Sequence, residues 1–537
     1  MKVGTVIVGS GVAATVIAEA LLAKKADASI LIIEAGTQVK TKDFGLWENF
    51  LVTGALPYDG ARDGNYPQRD DPGENEHAGT TEVPLRGARL FAYGGSTLHW
   101  GGWSFRLKPE DFYLKTNTGE ALDWPFDYEA LEPYYCRAEA HLAVSGDSED
   151  LVETRSSAFP FKAFPFTLED KLYADAFSKL SIGYGHLPIA RRGLSDVPSR
   201  HAPCQTTGTC KYCPFGARYV ASNYLDDLRD WNDYPNLRIK LGAPVLRIEM
   251  DGKRKAKGVL YYDKARGEAV TVEADQVIIA AGAIESAKLL LRSCPDDWPD
   301  GVGNDHRQVG RYLITHPYFT MTAILPKNDR NLQPELNFPT LVSRHFDSPE
   351  EQALGKYMMV APPDTVALGQ SGLNPTIAGM MQAGQNRARI DAALGGKNKI
   401  TIQGMLEVFG RETNTVRNMG TLNKFGLPMT SVSYAQDTGF DARILTIEKK
   451  IGEIFGAMGA KPEGARSVSW RADHAASLCR MSKSAATGVV DSDLKVHGTD
   501  NLFVISNAVF PNLGAVNPTL TLTALAIRLG DHLAGMA

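Results

Sequence analysis

Two groups of residues in this sequence have the types and spacing that chemistry needs. The first is Gly9, Gly11 and Ala14, with Glu34 following about 20 residues on. That pattern suits a nucleotide. Gly9 permits a tight turn, Gly11 lets the backbone approach a pyrophosphate, and Ala14 allows close helix–strand packing. Glu34 can accept hydrogen bonds from ribose hydroxyls. The alternative is a tight strand-to-helix turn that binds nothing. The second group is Cys204, Cys210 and Cys213, the last followed by Pro214. Three neighbouring thiolates are what an iron–sulfur cluster needs. Zinc would want a fourth ligand, for which His201 is nearest. Buried free thiols are the third reading. Cys136, Cys294 and Cys479 stand alone and read as structural. A further stretch, Arg89 to Trp103, sets the pairs Gly94–Gly95 and Gly101–Gly102 among aromatics and His99. It reads as backbone held close to a flat ligand.

The surrounding segments explain how these residues would be positioned. Val3 to Val8 is a short run rich in β-branched residues and reads as a buried strand. Val12 to Ala23 reads as a helix whose N-terminus favours the charge of a pyrophosphate. Ser29 to Ile33 reads as a second strand that ends at Glu34. Residues 37–85 are polar and read as a surface excursion. Residues 124–143 carry a helix-like stretch, and 146–200 read as mixed loop. Strand-like segments at 244–250, 257–263 and 269–273 lead to an apolar strand ending in Ala280, Ala281 and Gly282, then a helix through Leu291. Pieces near 318–325, 356–361, 400–409 and 430–434 suit an antiparallel sheet, and 439–458 reads as an amphipathic helix. The glycine-rich end returns to the strand–helix pattern.

Bulk properties exclude several classes. The 537 residues suffice for two or more domains and a large core. Hydrophobic content of 43% and charged content of 22% are ordinary for a globular protein. The net charge of −5 points away from nucleic acid. No apolar run is long enough to span a bilayer. The chain enters its first strand within a few residues, so no signal peptide is expected. Six cysteines in this length make no disulfide framework.

Several separated stretches resemble one family, the glucose–methanol–choline (GMC) flavin oxidoreductases. They are the opening fingerprint, Gly94 to Trp100, Ala280 to Ser286, Val309 to Pro317, and the ending from His474 through Asn517 to Thr521. They occur in family order over nearly the whole length. The resemblance is strongest to the pyranose oxidase branch and to flavin subunits of bacterial sugar dehydrogenases. It implies an α/β fold. A discontinuous Rossmann-like FAD-binding domain would comprise residues 1–120, 200–315 and 475–537. An α+β substrate-binding domain on an antiparallel sheet would comprise 121–199 and 316–474.

The resemblance also implies roles. FAD would lie against Gly9, Gly11, Ala14, Glu34, Gly94, Gly95, Ser96, His99, Trp100, Ala281, Gly282, Pro518 and Thr519. His474 would be the base that takes the hydroxyl proton, since imidazole titrates near neutrality. Asn517 would orient the substrate hydroxyl. The helix after Pro518 would face the flavin pyrimidine and stabilise negative charge there. Pyranose oxidases tether the flavin to the histidine at the His99 position. Leu98 replaces their threonine, so tethering and simple packing of His99 both stay open. The sugar dehydrogenases hold a three-iron (3Fe-4S) cluster on a similar cysteine run followed by Pro-x-Gly-Ala, here Pro214 to Ala217. Here two residues separate the last two cysteines, unlike that run. The expectation is therefore an FAD-dependent sugar dehydrogenase. It would oxidise a ring hydroxyl of a pyranose or glycoside at C1, C2 or C3. Electrons would leave through the cluster to an external acceptor such as a cytochrome. The alternative is an oxidase that reduces O2 to H2O2. A small signal-bearing partner would export the chain to the periplasm, the cytoplasm being the alternative.

Overall fold

The computed structural model describes the chain except for residues 40–44, 46–47, 50–74, 86–87, 151–153, 194–197, 206–212, 214, 232–233, 253, 327–335, 337, 364–378, 395–398 and 536–537. The run of β-branched residues at the start forms the strand Lys2–Val8, buried from Thr5 onward. It pairs in parallel with Ile30–Ile33 on one side and with Glu268–Ile279 on the other. Leu237–Lys240 extends the sheet beyond Ile30–Ile33. Ala256–Asp263 and Val245–Met250 extend it antiparallel beyond Glu268–Ile279, and Leu502–Val504 joins in parallel at Val277 to Ile279. The result is a seven-stranded sheet drawn from three distant parts of the chain. Where the central strands pair in parallel they are apolar and buried, at Val6 to Val8, Ile30 to Ile33 and Val277 to Ile279, as strands covered on both faces must be.

The helix Val12–Lys24 lies against the helix Thr519–Leu533. The two approach closely because Gly530 meets Ala20; a Cβ on Gly530 would lie 2.7 Å from the Ala20 Cβ. Thr519–Leu533 also packs on the helix Tyr128–His141.

Two features differ from the sequence expectation here. The strand expected at 269–273 and the apolar strand after it are one element, Glu268–Ile279. Its first half is antiparallel to Ala256–Asp263, and its second half is parallel to Leu502–Val504. The region 146–200, expected as mixed loop, holds the helix Leu168–Lys179. A reciprocal cap starts it: Thr167 accepts from the Asp170 N–H, and Asp170 accepts from the Thr167 N–H. Tyr173, Ala176 and Phe177 bury its inner face.

The second sheet also has seven strands and is antiparallel. Pro317–Ile324 sits within it, between Lys399–Leu406 on one side and Lys461–Pro462 and Ser467–Trp470 on the other. Tyr357–Val360, Leu341–Ser343 and Gly185–His186 complete it. The expected amphipathic helix is Phe440–Ala457. It buries Ile444, Ile447, Ile451, Ile454 and Phe455 at helical spacing. Three further strands, Asn75–His77, Thr415–Leu422 and Pro428–Ser433, form a small separate sheet.

A buried ionic cluster ties the second sheet to the first part of the molecule. The Lys356 ammonium lies 2.5 Å from Asp111, 2.8 Å from Asp347 and 3.3 Å from Glu110. Glu407 joins it, accepting from the Lys356 backbone N–H at 3.3 Å. Burial, and then the charge of Asp111, push the Glu407 carboxyl up to about 8. It therefore binds a proton in the folded chain over a pH range where the unfolded chain has lost it. The unfavourable contribution grows from about pH 4.5 to about pH 8 and is constant above. Glu407→Gln should thus gain melting temperature relative to wild type as pH rises from 5 to 8. Paired thermal melts at pH 5, 6.5 and 8 check this; a difference independent of pH would refute it.

Candidate active site

The strands of the first sheet end where the glycines begin. Gly9 has φ of +103°, and a Cβ there would lie 2.5 Å from the Ala280 carbonyl oxygen. Only glycine allows the two parallel strands to leave the sheet so close together. Beside them, Gly11 and Gly282 face open space: a Cβ on either would meet nothing within 4 Å. The helices Val12–Lys24 and Gly282–Arg292 both start at this edge. Their free N–H groups and the missing side chains make a cradle for an anionic, flat-bodied ligand. Ala14 is fully buried under it.

Glu34 stands at the end of the second strand and is buried. Its carboxylate accepts from the Ser10 hydroxyl at 2.7 Å, the Ser10 N–H at 3.1 Å and the Gly36 N–H at 2.9 Å. Burial raises its carboxyl above the ordinary range. Ser10 in turn accepts from the Gly94 N–H at 3.0 Å. That bond brings the paired glycines over the cradle, and a Cβ on Gly95 would lie 3.4 Å from the Gly11 Cα. The short 3-10 helix Gly95–Leu98 follows, with Ser96 exposed and His99 half-buried at its end. The Trp100 indole donates to the Tyr219 carbonyl at 3.0 Å. The buried Arg218 guanidinium donates to the carbonyls of Leu98 and Trp100.

Cys204 and Cys213 are half-buried at the edges of the cysteine loop, while Cys210 lies outside the described residues. His201 is occupied on both ring nitrogens, by the Tyr224 hydroxyl at 2.5 Å and the Gly216 carbonyl at 3.3 Å. Burial holds it down to about 4. It is thus committed to packing the loop base rather than left open as a fourth ligand.

Elsewhere, backbone pairing brings three further segments together. Ile314 bridges Ala476, and Pro317 pairs with Trp470. Between these two points the chain must place His316 opposite His474. Cys479 and Met481 then donate to the carbonyls of Ala508 and Val509, which brings up the segment that reaches Asn517. The Asn517 amide nitrogen lies 3.2 Å from His474 Nε2. The Asn517 Oδ1 is buried with no partner among the described residues. Pro518 and Thr519 then open the C-terminal helix. His474 Nδ1 lies 2.9 Å from His316 Nδ1, and His316 Nε2 lies 2.9 Å from the Gly514 carbonyl. The Tyr318 hydroxyl sits 3.3 Å from His474 Nε2. Burial, then the neighbouring His316 and Arg471, hold the His474 imidazolium well below its usual range. His474 is therefore a neutral imidazole at physiological pH, the form a base requires.

His474 and Asn517, 43 positions apart, are brought together. The nucleotide-side residues converge at the edge of the first sheet. His316 and Tyr318 were not singled out from sequence. His316 falls inside the stretch Val309 to Pro317 quoted above, and a histidine just before a buried strand was the available signal.

Known proteins resemble this chain in sequence and in fold. A model of GMC oxidoreductases matches residues 189–318, and a second model of the same family, for its C-terminal part, matches residues 411–526. The fructose dehydrogenase large subunit of Gluconobacter japonicus is 25% identical over 99% of this chain and 97% of its own length. The paromamine 6'-oxidase of Streptomyces fradiae is 28% identical over 99% and 91%. Among solved structures, formate oxidase superposes with a TM-score of 0.66 at 16% identity, covering 99% of this chain and 98% of that one. Pyridoxine 4-oxidase from Mesorbium loti superposes with a TM-score of 0.64 at 19% identity, each chain 99% covered. Both family models name the same group, in the order its parts occur along the chain, and the chain belongs to the GMC oxidoreductase family.

Proposed function

We propose that this chain is an FAD-dependent sugar dehydrogenase that oxidises a ring hydroxyl of a pyranose or glycoside, at C1, C2 or C3. The observation that carries the chemistry is the contact between His474 Nε2 and Asn517, whose amide oxygen has no partner among the described residues. The cofactor is FAD, and the cradle fits it: Gly11 and Gly282 leave open the space that side chains would fill. Gly9, Gly11, Ala281 and Gly282 would hold the pyrophosphate, Glu34 the ribose, and Gly94 to Trp100 the ring system. Bound FAD would supply the hydride acceptor.

The chain's own groups do the rest. A substrate hydroxyl entering between Asn517 and His474 would accept from the Asn517 amide N–H and donate to His474 Nε2. His474 takes the proton as the carbon loses its hydride. Asn517 holds the oxygen in line for that loss. The buried setting keeps His474 neutral until the proton arrives. Among the described residues no helix is long and apolar enough to cross a membrane.

In the same reading Cys204, Cys210 and Cys213 would hold an iron–sulfur cluster, a 3Fe-4S centre, which when bound would supply one-electron transfer to an external acceptor. A small signal-bearing partner exports the chain to the periplasm, and a cytochrome takes the electrons. A relative named as a large subunit supports a partnered enzyme. The second reading is an oxidase that reduces O2 to H2O2, favoured by the relatives named as oxidases.

Anaerobic mixing with D-glucose, D-fructose, a methyl glucoside and paromamine tests the proposal: at least one sugar should bleach the flavin. Three outcomes follow. His474→Ala should slow flavin reduction by roughly 10²–10⁴-fold with FAD still bound, and Asn517→Ala should be milder. Wild-type reduction by His474→Ala would remove the base assignment. Because His474 titrates well below 6.5, the reduction rate should stay level from pH 8 to pH 6. An ordinary histidine would lose about three quarters of its base form at pH 6. Cys210→Ser should leave flavin reduction intact and cut transfer to a cytochrome or electrode. Iron-free protein with rapid peroxide release would decide for the oxidase.

A further inference from the structure

We propose that His316 is a positioning residue, which fixes His474 in the tautomer whose Nε2 lone pair faces the substrate. The proposal rests on the reading of His474 as the base. It follows from a chain of hydrogen bonds in which each link dictates the next. A carbonyl oxygen only accepts, so His316 Nε2, 2.9 Å from the Gly514 oxygen, must carry a hydrogen. A neutral imidazole has one N–H, so His316 Nδ1 is a lone pair. That lone pair lies 2.9 Å from His474 Nδ1, with the two rings at 88° to one another. The bond exists only if His474 Nδ1 carries the hydrogen. His474 Nε2 is then the lone pair, which agrees with an amide N–H of Asn517 pointing at it from 3.2 Å.

The reverse arrangement would disable the base. A doubly protonated His316 would donate from Nδ1, forcing His474 to accept there and to carry its hydrogen on Nε2. The site opposes that state. His316 is fully buried, and burial pushes its imidazolium down to about 4, against the smaller opposing effects of the Gly514 carbonyl and Asp347. Tyr318, Asn517 and Arg471 also face the pair, and Asp473 acts on Tyr318. The backbone that carries His316 is held on both sides. Thr315 beside it donates to the Arg471 carbonyl at 2.6 Å, and Ile314 and Ala476 exchange backbone hydrogen bonds on the other side.

The test uses the FAD-loaded enzyme labelled with nitrogen-15 in its histidine rings. His474 is assigned by its loss in His474→Ala. In wild type its Nδ1 should be the protonated nitrogen and its Nε2 the bare one. His316→Leu removes the acceptor and should slow flavin reduction roughly 10²-fold or more, within the span of lost acid–base catalysis. It should also shift the pH profile of the rate. His316→Asn can place an amide oxygen where Nδ1 was and should recover most of the loss. FAD content and melting temperature accompany each variant. Should His316→Leu fail to hold FAD, the wild-type spectrum and the Asn variant still decide. A wild-type His474 protonated on Nε2 overturns the proposal. So does His316→Leu at the wild-type rate and pH profile, or an Asn variant that folds but is as slow as Leu. Failure of the base reading is distinguishable: His474→Ala would then itself reduce flavin at the wild-type rate.

Discussion

The parallel pairing of Lys2–Val8 with Glu268–Ile279 is the contact on which the rest of the molecule depends. It joins residues about 270 positions apart and ends both strands at the same level. At that level the backbones come so near that Gly9 has no room for a side chain against Ala280. Two helices start there, and the loop bearing Gly94 and Gly95 is drawn over it through Ser10 and Glu34. Leu502–Val504 is added to the same strand, which fixes where the C-terminal segment can run. The position of Asn517 is thus settled by a sheet that holds none of the residues proposed to move protons.

Burial acts in opposite directions on the two kinds of ionisable group near the site. It keeps His474 and His316 uncharged, because a bare imidazolium there would be poorly solvated. The same desolvation raises Glu407, yet Lys356 stays charged because Asp111, Asp347 and Glu110 surround it. A buried charge of this kind is tolerated only while its partners remain, and removing one would be costly. Gly514 connects the two regions. It accepts from His316, and a Cβ on it would lie 3.0 Å from an Asp111 carboxylate oxygen. The ionic cluster therefore braces the floor on which the histidine pair stands.

Much of this was legible in the sequence where local chemistry decides. Val3 to Val8, the glycines after it and Glu34 carry their meaning within 34 residues, because strand, turn and helix start each have a short signature. The helix Phe440–Ala457 was legible from its apolar stripe. The helix Leu168–Lys179 was obscured by the loop-like residues on both sides, although its capping pair was present. The strand Thr415–Leu422 buries Val416 alone and shows no alternation. His474 and Asn517 were legible only through resemblance. The meaning of His316 lies in a contact across 158 positions, and nothing local to it announces which nitrogen will face which neighbour.

The way the first sheet is threaded bears on how the chain reaches this state. Its first strand leaves the ribosome long before Glu268–Ile279, and Leu502–Val504 and the helix that covers Val12–Lys24 come last. Loop closure over hundreds of residues costs entropy before any contact rewards it, and such topologies fold slowly. The opening strand, buried from Thr5 onward in the folded chain, has no partner in Glu268–Ile279 until that segment has been made. Chains in that condition are the usual clients of chaperones. The helix Val12–Lys24, which opens at the cradle, is covered only once Thr519–Leu533 has been made.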